Sequence, residues 1–232
     1  ERKAEILEEL GYSRVMEVVG VSVDTSVLNS VFNRFFWQCV ALALKEKPLV
    51  RVVGLKESLK VRCITKGPPF TYFVLKGLQK SLLKAIQRFP QFQLTGHPCD
   101  ATALNRFFQE FYSGPGLFHS GDYKAATDEL HSWGSEIVGE EIVYTMNSAM
   151  KGLGDLFKPL IMNALIDHLY VTECGDGVRE FWTAQGYDPE YLFGARKQER
   201  GQLMGSIISF PVLCIINMAL IRFSLENVER RK

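Results

Sequence analysis

The sequence predicts an α+β fold, and three observations carry that prediction. Apolar residues recur at helical spacing over several long stretches, two short β-rich runs lie side by side early in the chain, and no regular strand–helix alternation follows them. With 232 residues, 47% of them hydrophobic and 23% charged, the chain has a globular composition and enough length for a sizeable core.

Residues 1–20 read as a short amphipathic helix built on Ile6, Leu7 and Leu10, followed by a mixed segment. Over 24–47 the positions Val27, Leu28, Val31, Phe32, Phe35, Phe36 and Val40 recur at helical spacing, with Asp24 as the cap. Val50-Arg51-Val52-Val53-Gly54 and Lys60-Val61-Arg62-Cys63-Ile64-Thr65 then read as two strands joined by a short charged connection. Gly67-Pro68-Pro69 ends the second strand, and helical spacing returns from Phe70 to Phe89. Pro90, Gly96 and Pro98 mark a loop before a helix around 101–112, and Ser113-Gly114-Pro115-Gly116 is a clear break.

Leu117-Phe118-His119 reads as a strand that delivers Asp122, with a long helix from about 125 to 150 behind it. A mixed element follows over 155–175, then a tight turn at Gly175-Asp176-Gly177 and a loop opened by Tyr187-Asp188-Pro189. Lys197 to Arg200 leads into a glycine-containing loop and a final apolar helix. There is no internal repeat and no low-complexity segment.

The net charge of +1 hides a polarised chain. Residues 41–90 hold eleven Lys and Arg against Glu46 and Glu57, a local +9 that leaves −8 for the remainder. Such asymmetry fits a polyanionic ligand. The five cysteines are scattered without CxxC spacing, so the pattern indicates neither a zinc site nor a disulfide framework. No secretory signal is visible, and the first residues, Glu1-Arg2-Lys3, lack an initiator Met; the sequence is expected to be part of a longer protein. The four histidines form no metal or nucleophile pattern, and His131 and His168 are expected at the surface or as satisfied core residues.

Three constellations carry possible chemistry. In the basic hairpin, Lys60 and Arg62 are two apart on a strand and share one face, while Val61 and Cys63 take the other. The charges alone fit either an edge strand guarded by its lysines or a grip on phosphate. In the second constellation Asp122 at a strand end and Asp128 in the first turns of the next helix can flank one pocket. On a continuous helix a six-residue spacing would turn them about 600° and onto different faces. Asp122 as a cap and Asp128 as a surface acid is the plain alternative. The third is Arg200-Gly201-Gln202-Leu203-Met204-Gly205-Ser206-Ile207-Ile208-Ser209-Phe210-Pro211, a loop whose small residues allow close backbone approach. From Leu203 to Ile221 no charged residue occurs, a run long enough to suggest a membrane span. Gly205, Ser206, Ser209, Pro211 and Asn217 interrupt it, which favours a helix packed inside a soluble fold.

In this order, basic strand, acidic turn and glycine loop, the chain resembles the viral RNA-dependent RNA polymerases. The likeness is greatest to the ourmiavirus (botourmiavirus) group, with narnavirus and levivirus replicases as relatives, and it covers about residues 45–225. The resemblance implies a right-hand polymerase fold, with fingers and the N-terminal part of the palm in this chain. Residues 1–112 would be fingers with the basic hairpin at 45–67, and 113–150 the palm strand and helix of the first catalytic Asp. Residues 151–200 would be a fingers/palm insertion, and 201–232 the palm glycine loop and helix.

The resemblance further implies Asp122 as a catalytic ligand of Mg²⁺ or Mn²⁺, and Asp128 as the partner of the incoming ribose 2′-hydroxyl. Lys60, Arg62 and Lys66 would bind triphosphate, with Arg62 suited to bidentate contact. Gly205, Ser206 and Ser209 would position the template, and Asn217 is the candidate amide on the helix that follows. RNA template and product, NTPs and the host cytoplasm are the expected partners and location, without obligatory membrane insertion. The chain contains no Gly-Asp-Asp tripeptide, which the family needs beyond the Gly205 loop; Gly175-Asp176-Gly177 lacks the second acid and lies between the other motifs. The sequence is therefore expected to be a polymerase fragment inactive alone, with the Gly-Asp-Asp hairpin and thumb outside it. A non-catalytic RNA-binding protein and a membrane-anchored replication accessory are the alternatives.

Overall fold

The computed structural model describes residues 25–92, 95–96, 99–111, 121, 126–171, 176–186 and 194–230. The expected helix in 1–20, the strand leading to Asp122, Asp122 itself and the loop at 187–189 lie outside the described residues. The chain divides into two units, Glu1–Ala41 and Leu42–Lys232.

The first unit carries most of helix α1 (Thr25–Ala43), close to the predicted 24–47. Phe32 and Phe36 stack along it at 6.4 Å, and Phe36 meets Trp37 edge-on at 5.8 Å. Such aromatic pairs add to the support given by helical spacing.

The second unit begins with a β-hairpin. Strands β1 (Leu49–Glu57) and β2 (Lys60–Lys66) pair antiparallel, with Val52 opposite Thr65 and Glu57 opposite Lys60. Both strands are longer than the sequence predicts, since Leu55, Lys56 and Glu57 continue the ladder rather than forming the connection. Only Ser58 and Leu59 remain for the turn, with Leu59 at φ +69°. A two-residue hairpin requires positive φ, and an L-residue tolerates it only at some cost.

Helix α2 (Pro69–Ile86) follows, with proline in its first turn, where a missing N–H is harmless. The Glu46 carboxylate caps it, accepting from the Phe70 N–H at 3.1 Å and from the Thr71 N–H and hydroxyl, each at 2.8 Å. Thr71, Val74, Leu75 and Ile86 form its buried face. Beyond a 3₁₀ turn at Pro90–Phe92 comes α3 (Ala101–Phe111), capped by Asp100 through a 2.7 Å bond from the Ala103 N–H.

Helix α4 spans Ser132–Ala149, so the predicted helix starts about seven residues too early. Ala126–Asp128 form a turn instead, because the carbonyls of Thr127 and Leu130 are engaged by the glycine loop rather than by a growing helix. Gly134, Ser135, Gly139, Ile142 and Val143 make the buried stripe of α4. Of the two glycines inside it, which weaken a helix on propensity alone, Gly139 is there for packing. A Cβ on Gly139 would stand 3.1 Å from the Met162 methyl.

The mixed element predicted at 155–175 resolves into helix α5 (Leu153–Asn163) and strand β3 (Leu169–Val171). Gly154 lies so close to α4 that a side chain there would strike the Val143 carbonyl. The predicted tight turn at Gly175-Asp176-Gly177 is corrected in part: Asp176 and Gly177 open helix α6 (Asp176–Ala184). Strand β4 (Arg196–Lys197) completes a four-stranded sheet of order β2-β1-β3-β4, with β1 and β3 parallel and β3 and β4 antiparallel.

Helix α7 (Ser209–Glu229) packs on α2 and α4, and α5 packs on α4 and α2. Leu75, Leu160, Ile161, Leu165, Ile208 and Val212 are the fully buried centre of this helical layer. The charge-free run is thus split between a loop and a helix. The segment Ser209–Asn227 is long and apolar enough to cross a bilayer, yet its Pro211, Val212 and Ile216 are buried within the protein, and Leu220, Ile221, Phe223 and Leu225 are exposed.

Candidate functional site

A cleft of about 930 Å³ opens where three sequence-distant segments meet. Strand β2 contributes Lys60 and Arg62–Thr65, the turn contributes Ala126–Asp128, and the loop contributes Arg200–Met204, with Val52 and Tyr170 from β1 and β3. These segments are tied by backbone bonds rather than by side-chain chance. The Thr65 N–H donates to the Met204 carbonyl at 2.8 Å, and its hydroxyl to the same oxygen at 3.1 Å. The Gly201 N–H donates to the Leu130 carbonyl at 2.7 Å, and the Gln202 N–H to the Thr127 carbonyl at 2.8 Å.

Two glycines make those approaches possible. Gly201 has φ +83°, and a Cβ on it would stand 2.8 Å from the Thr127 oxygen and 3.0 Å from the Asp128 oxygen. Gly205 has φ +113°, and a Cβ on it would drive into the Thr65 backbone. In this structure the freedom of both glycines serves close packing of the loop on its own protein.

The Thr65 N–H points away from β1, so the Val52–Thr65 pair is of the non-hydrogen-bonded kind. Antiparallel pairing alternates with period two, so the Cys63 N–H and carbonyl also face away from β1. The cleft takes residues of both parities from β2, together with Val52 and Tyr170 from the strands beyond it, and so borders both the outer edge of β2 and the sheet face.

Its electrostatics are those of paired charges. Arg62 Nε lies 3.1 Å and Lys60 Nζ 3.5 Å from the two Glu57 carboxylate oxygens, and Arg200 Nη1 lies 3.1 Å from Glu129 Oε2. All are partly exposed, and such pairs are worth little in water. A phosphate can therefore displace the carboxylates at small cost. Asp128 is exposed at the cleft, accepting from the Thr127 hydroxyl at 3.3 Å. Half-buried Tyr170 keeps its phenol protonated well past neutrality, because burial and then the Asp128 charge both raise its pKa.

The structure brings Lys60, Arg62 and Asp128 together and leaves several expected residues elsewhere. Lys66 is exposed at the far end of β2, opposite Arg51, and does not line the cleft. Gly205 is exposed, lies against the Thr65 backbone and does not line the cleft. Ser206 is buried and donates its hydroxyl to the Ala164 carbonyl, anchoring the loop to the end of α5. Ser209 is buried at the start of α7, its N–H directed to the Ser206 carbonyl at 3.3 Å. Asn217 is half-buried on α7, beside the Ile216 that packs against Gly134. Asp122 lies outside the described residues. Among the described residues no three His, Cys, Asp or Glu side chains group to hold a metal ion. Asp128 alone does not make a two-cation site.

Sequence reasoning missed Tyr170, Glu57, Gln198 and Gln202. Glu57 carried a signal, as the acid three residues before Lys60 across a tight turn. Tyr170 carried none, since only the parallel pairing of β3 with β1 brings it to the cleft. His168, expected at the surface or satisfied, is fully buried and half satisfied. Its Nδ1–H donates to Gln198 Oε1 at 2.7 Å, while Nε2 has no partner among the described residues. Burial pushes its pKa below the ordinary value, against smaller upward pulls from Gln198 and Asp167.

The chain is similar to the RNA-dependent RNA polymerase of Ourmia melon virus (isolate Melon/Iran/VE9), with 29% identity over 181 residues. The match covers 74% of this chain and 19% of that polymerase, so the chain spans about a fifth of the relative's length. The resemblance to a viral RNA-dependent RNA polymerase read from the motifs is thus also a resemblance along most of the chain. No family model and no solved structure matches it.

Proposed function

We propose that the chain is the nucleotide-entry part of a viral RNA-dependent RNA polymerase, comprising fingers and the first part of the palm of a right-hand fold. The observation that carries this reading is the meeting of basic strand, acidic turn and glycine loop in one cleft, from positions more than sixty residues apart in each case. An NTP suits that lining. Lys60 and Arg62 offer charge and a planar fork for the triphosphate. Asp128 accepts from a ribose 2′-hydroxyl, the group that separates RNA from DNA precursors. The Arg200–Met204 loop gives a wall for the paired base. Template RNA follows the basic surface of residues 41–90, and the expected setting is the host cytoplasm.

The reaction of the whole polymerase would be attack of a strand's 3′-hydroxyl on the α-phosphate of the NTP. Asp122 is the proposed ligand for Mg²⁺ or Mn²⁺, which would supply charge stabilisation to that step. The described residues contribute phosphate grip, ribose contact and a wall that holds the nucleotide in place.

Titration of the 232-residue chain with a fluorescent NTP, in the presence and absence of Mg²⁺ or Mn²⁺, tests the reading. Saturable binding, competed by all four NTPs and strengthened by the cation, is expected. RNA binding with no NTP binding under any of these conditions would instead support a non-catalytic RNA-binding protein.

A further inference from the structure

Two buried carboxamides, that of Gln198 outside the cleft lining and that of Gln202 within it, connect the sheet and helix α4 to the glycine loop. Gln198, directly after β4, is only 5% exposed. Its Oε1 accepts from His168 Nδ1–H at 2.7 Å and from the His168 backbone N–H at 3.4 Å. Its Nε2 donates to the Gly201 carbonyl at 2.6 Å and reaches the Arg200 carbonyl at 3.4 Å. Gln202, 3% exposed, donates from Nε2 to the fully buried Ser135 hydroxyl at 2.9 Å. Between these two arms lie the Gly201 and Gln202 N–H groups, which hold Leu130 and Thr127 on either side of Asp128.

We infer that Gln198 and Gln202 are positioning residues that clamp the Arg200–Gln202 stretch and, through it, the turn bearing Asp128. A glycine at φ +83° brings no stiffness of its own, so the hinge at Gly201 needs fixing from outside. A carboxamide can accept from an imidazole and donate to a carbonyl at the same time, which neither a carboxylate nor an apolar side chain of that size does. The His168 tautomer completes the arrangement, because only protonation at Nδ1 gives Gln198 Oε1 a ring donor. The enclosure of all four side chains strengthens these bonds and makes each broken one costly.

The consequence for nucleotide binding rests on the reading of the cleft given above; the clamp itself does not. Hydrogen exchange on the 232-residue chain separates the two. In Gln198→Met and Gln202→Met, the Gly201 and Gln202 amides should exchange about tenfold faster or more, as local opening becomes easier. Core amides of α4 and α5 should keep their rates. Gln198→Glu, which retains the acceptor and the volume but loses the donor to Gly201, should show the same local change. In the two Gln198 variants, whose side chain does not line the cleft, the fluorescent NTP should bind about tenfold more weakly, as expected for a mispositioned contact. Failure of the wild-type chain to bind NTP would overturn the cleft reading and leave the exchange result standing. Unchanged loop amides in folded variants, acceleration spread evenly over the chain, or loss of folding in both Gln198 variants would overturn the clamp.

Discussion

Arg62, Asp128 and His168 each respond to one physical variable. Arg62 faces the cleft with its guanidinium on Glu57, and phosphate recognition by such a group is blind to the base. Arg62→Ala should therefore weaken binding of all four NTPs by a similar factor, measured by competition against one labelled nucleotide. A base-selective loss would remove Arg62 from the triphosphate. Asp128→Ala should narrow the affinity gap between NTPs and dNTPs, since a site built to bond a hydroxyl rejects the analogue lacking it. For His168 the sign follows from burial. The unfolded imidazole titrates near about 6.5, and the folded one lies lower. Below that pH the unfolded chain takes up a proton that the folded chain refuses. Stability is therefore full above about 6.5 and falls as pH drops toward the folded value. Thermal unfolding at pH ~7.5 and ~5.5, on either side of that value, should show this loss in the wild-type chain and a smaller one in His168→Gln. An equal loss in both would assign the acid limb to other groups.

Among the elements, the hairpin and the glycine loop are coupled through Thr65, and each can be disturbed separately. Glu57 balances the two cleft cations of β2, Lys60 and Arg62, from the strand opposite. Because exposed pairs of this kind contribute at most about 1 kcal/mol, Glu57→Gln should leave the fold intact and raise NTP affinity by a few-fold. Unchanged or weaker binding would mean that Glu57 is needed to aim Arg62. Gly205→Ala presents the opposite case. A side chain at φ +113°, with the Thr65 backbone in its way, should cost about 1–3 kcal/mol, seen by chemical denaturation, and should expose the Thr65 amide to exchange. Wild-type stability and protection would show that the loop does not depend on close approach there.

Across the whole molecule, the +9 of residues 41–90 should draw RNA to the chain irrespective of sequence. Affinity measured by filter binding should fall steeply with salt, because released counterions carry most of the free energy. Salt-independent binding would point to contacts other than phosphate. With no Gly-Asp-Asp tripeptide in the sequence, the chain should not extend a primed template with labelled NTP in Mg²⁺ or Mn²⁺. Extension abolished by Asp122→Ala would show that the second cation finds its ligands within these residues.

The sequence by itself determined the local elements and the chemistry available to them. The apolar spacing of α1, the alternation of β1 and β2 and the prolines at the start of α2 were all legible, because each depends on neighbours within a few residues. The basic hairpin, Asp128 and the glycine loop were legible as motifs on the same ground, through charge and small-residue spacing. Tertiary structure alone decided where α4 begins, since the carbonyls of Thr127 and Leu130 bond a loop some seventy residues away. It also decided that Tyr170 joins the cleft while Lys66 stays outside, and that Gly201 and Gly205 serve contacts with the turn and with β2. The buried pair of His168 and Gln198 was illegible for the same reason. Thirty residues separate them, and only the pairing of β3 with β4 turns two ordinary polar residues into one hydrogen-bonded unit.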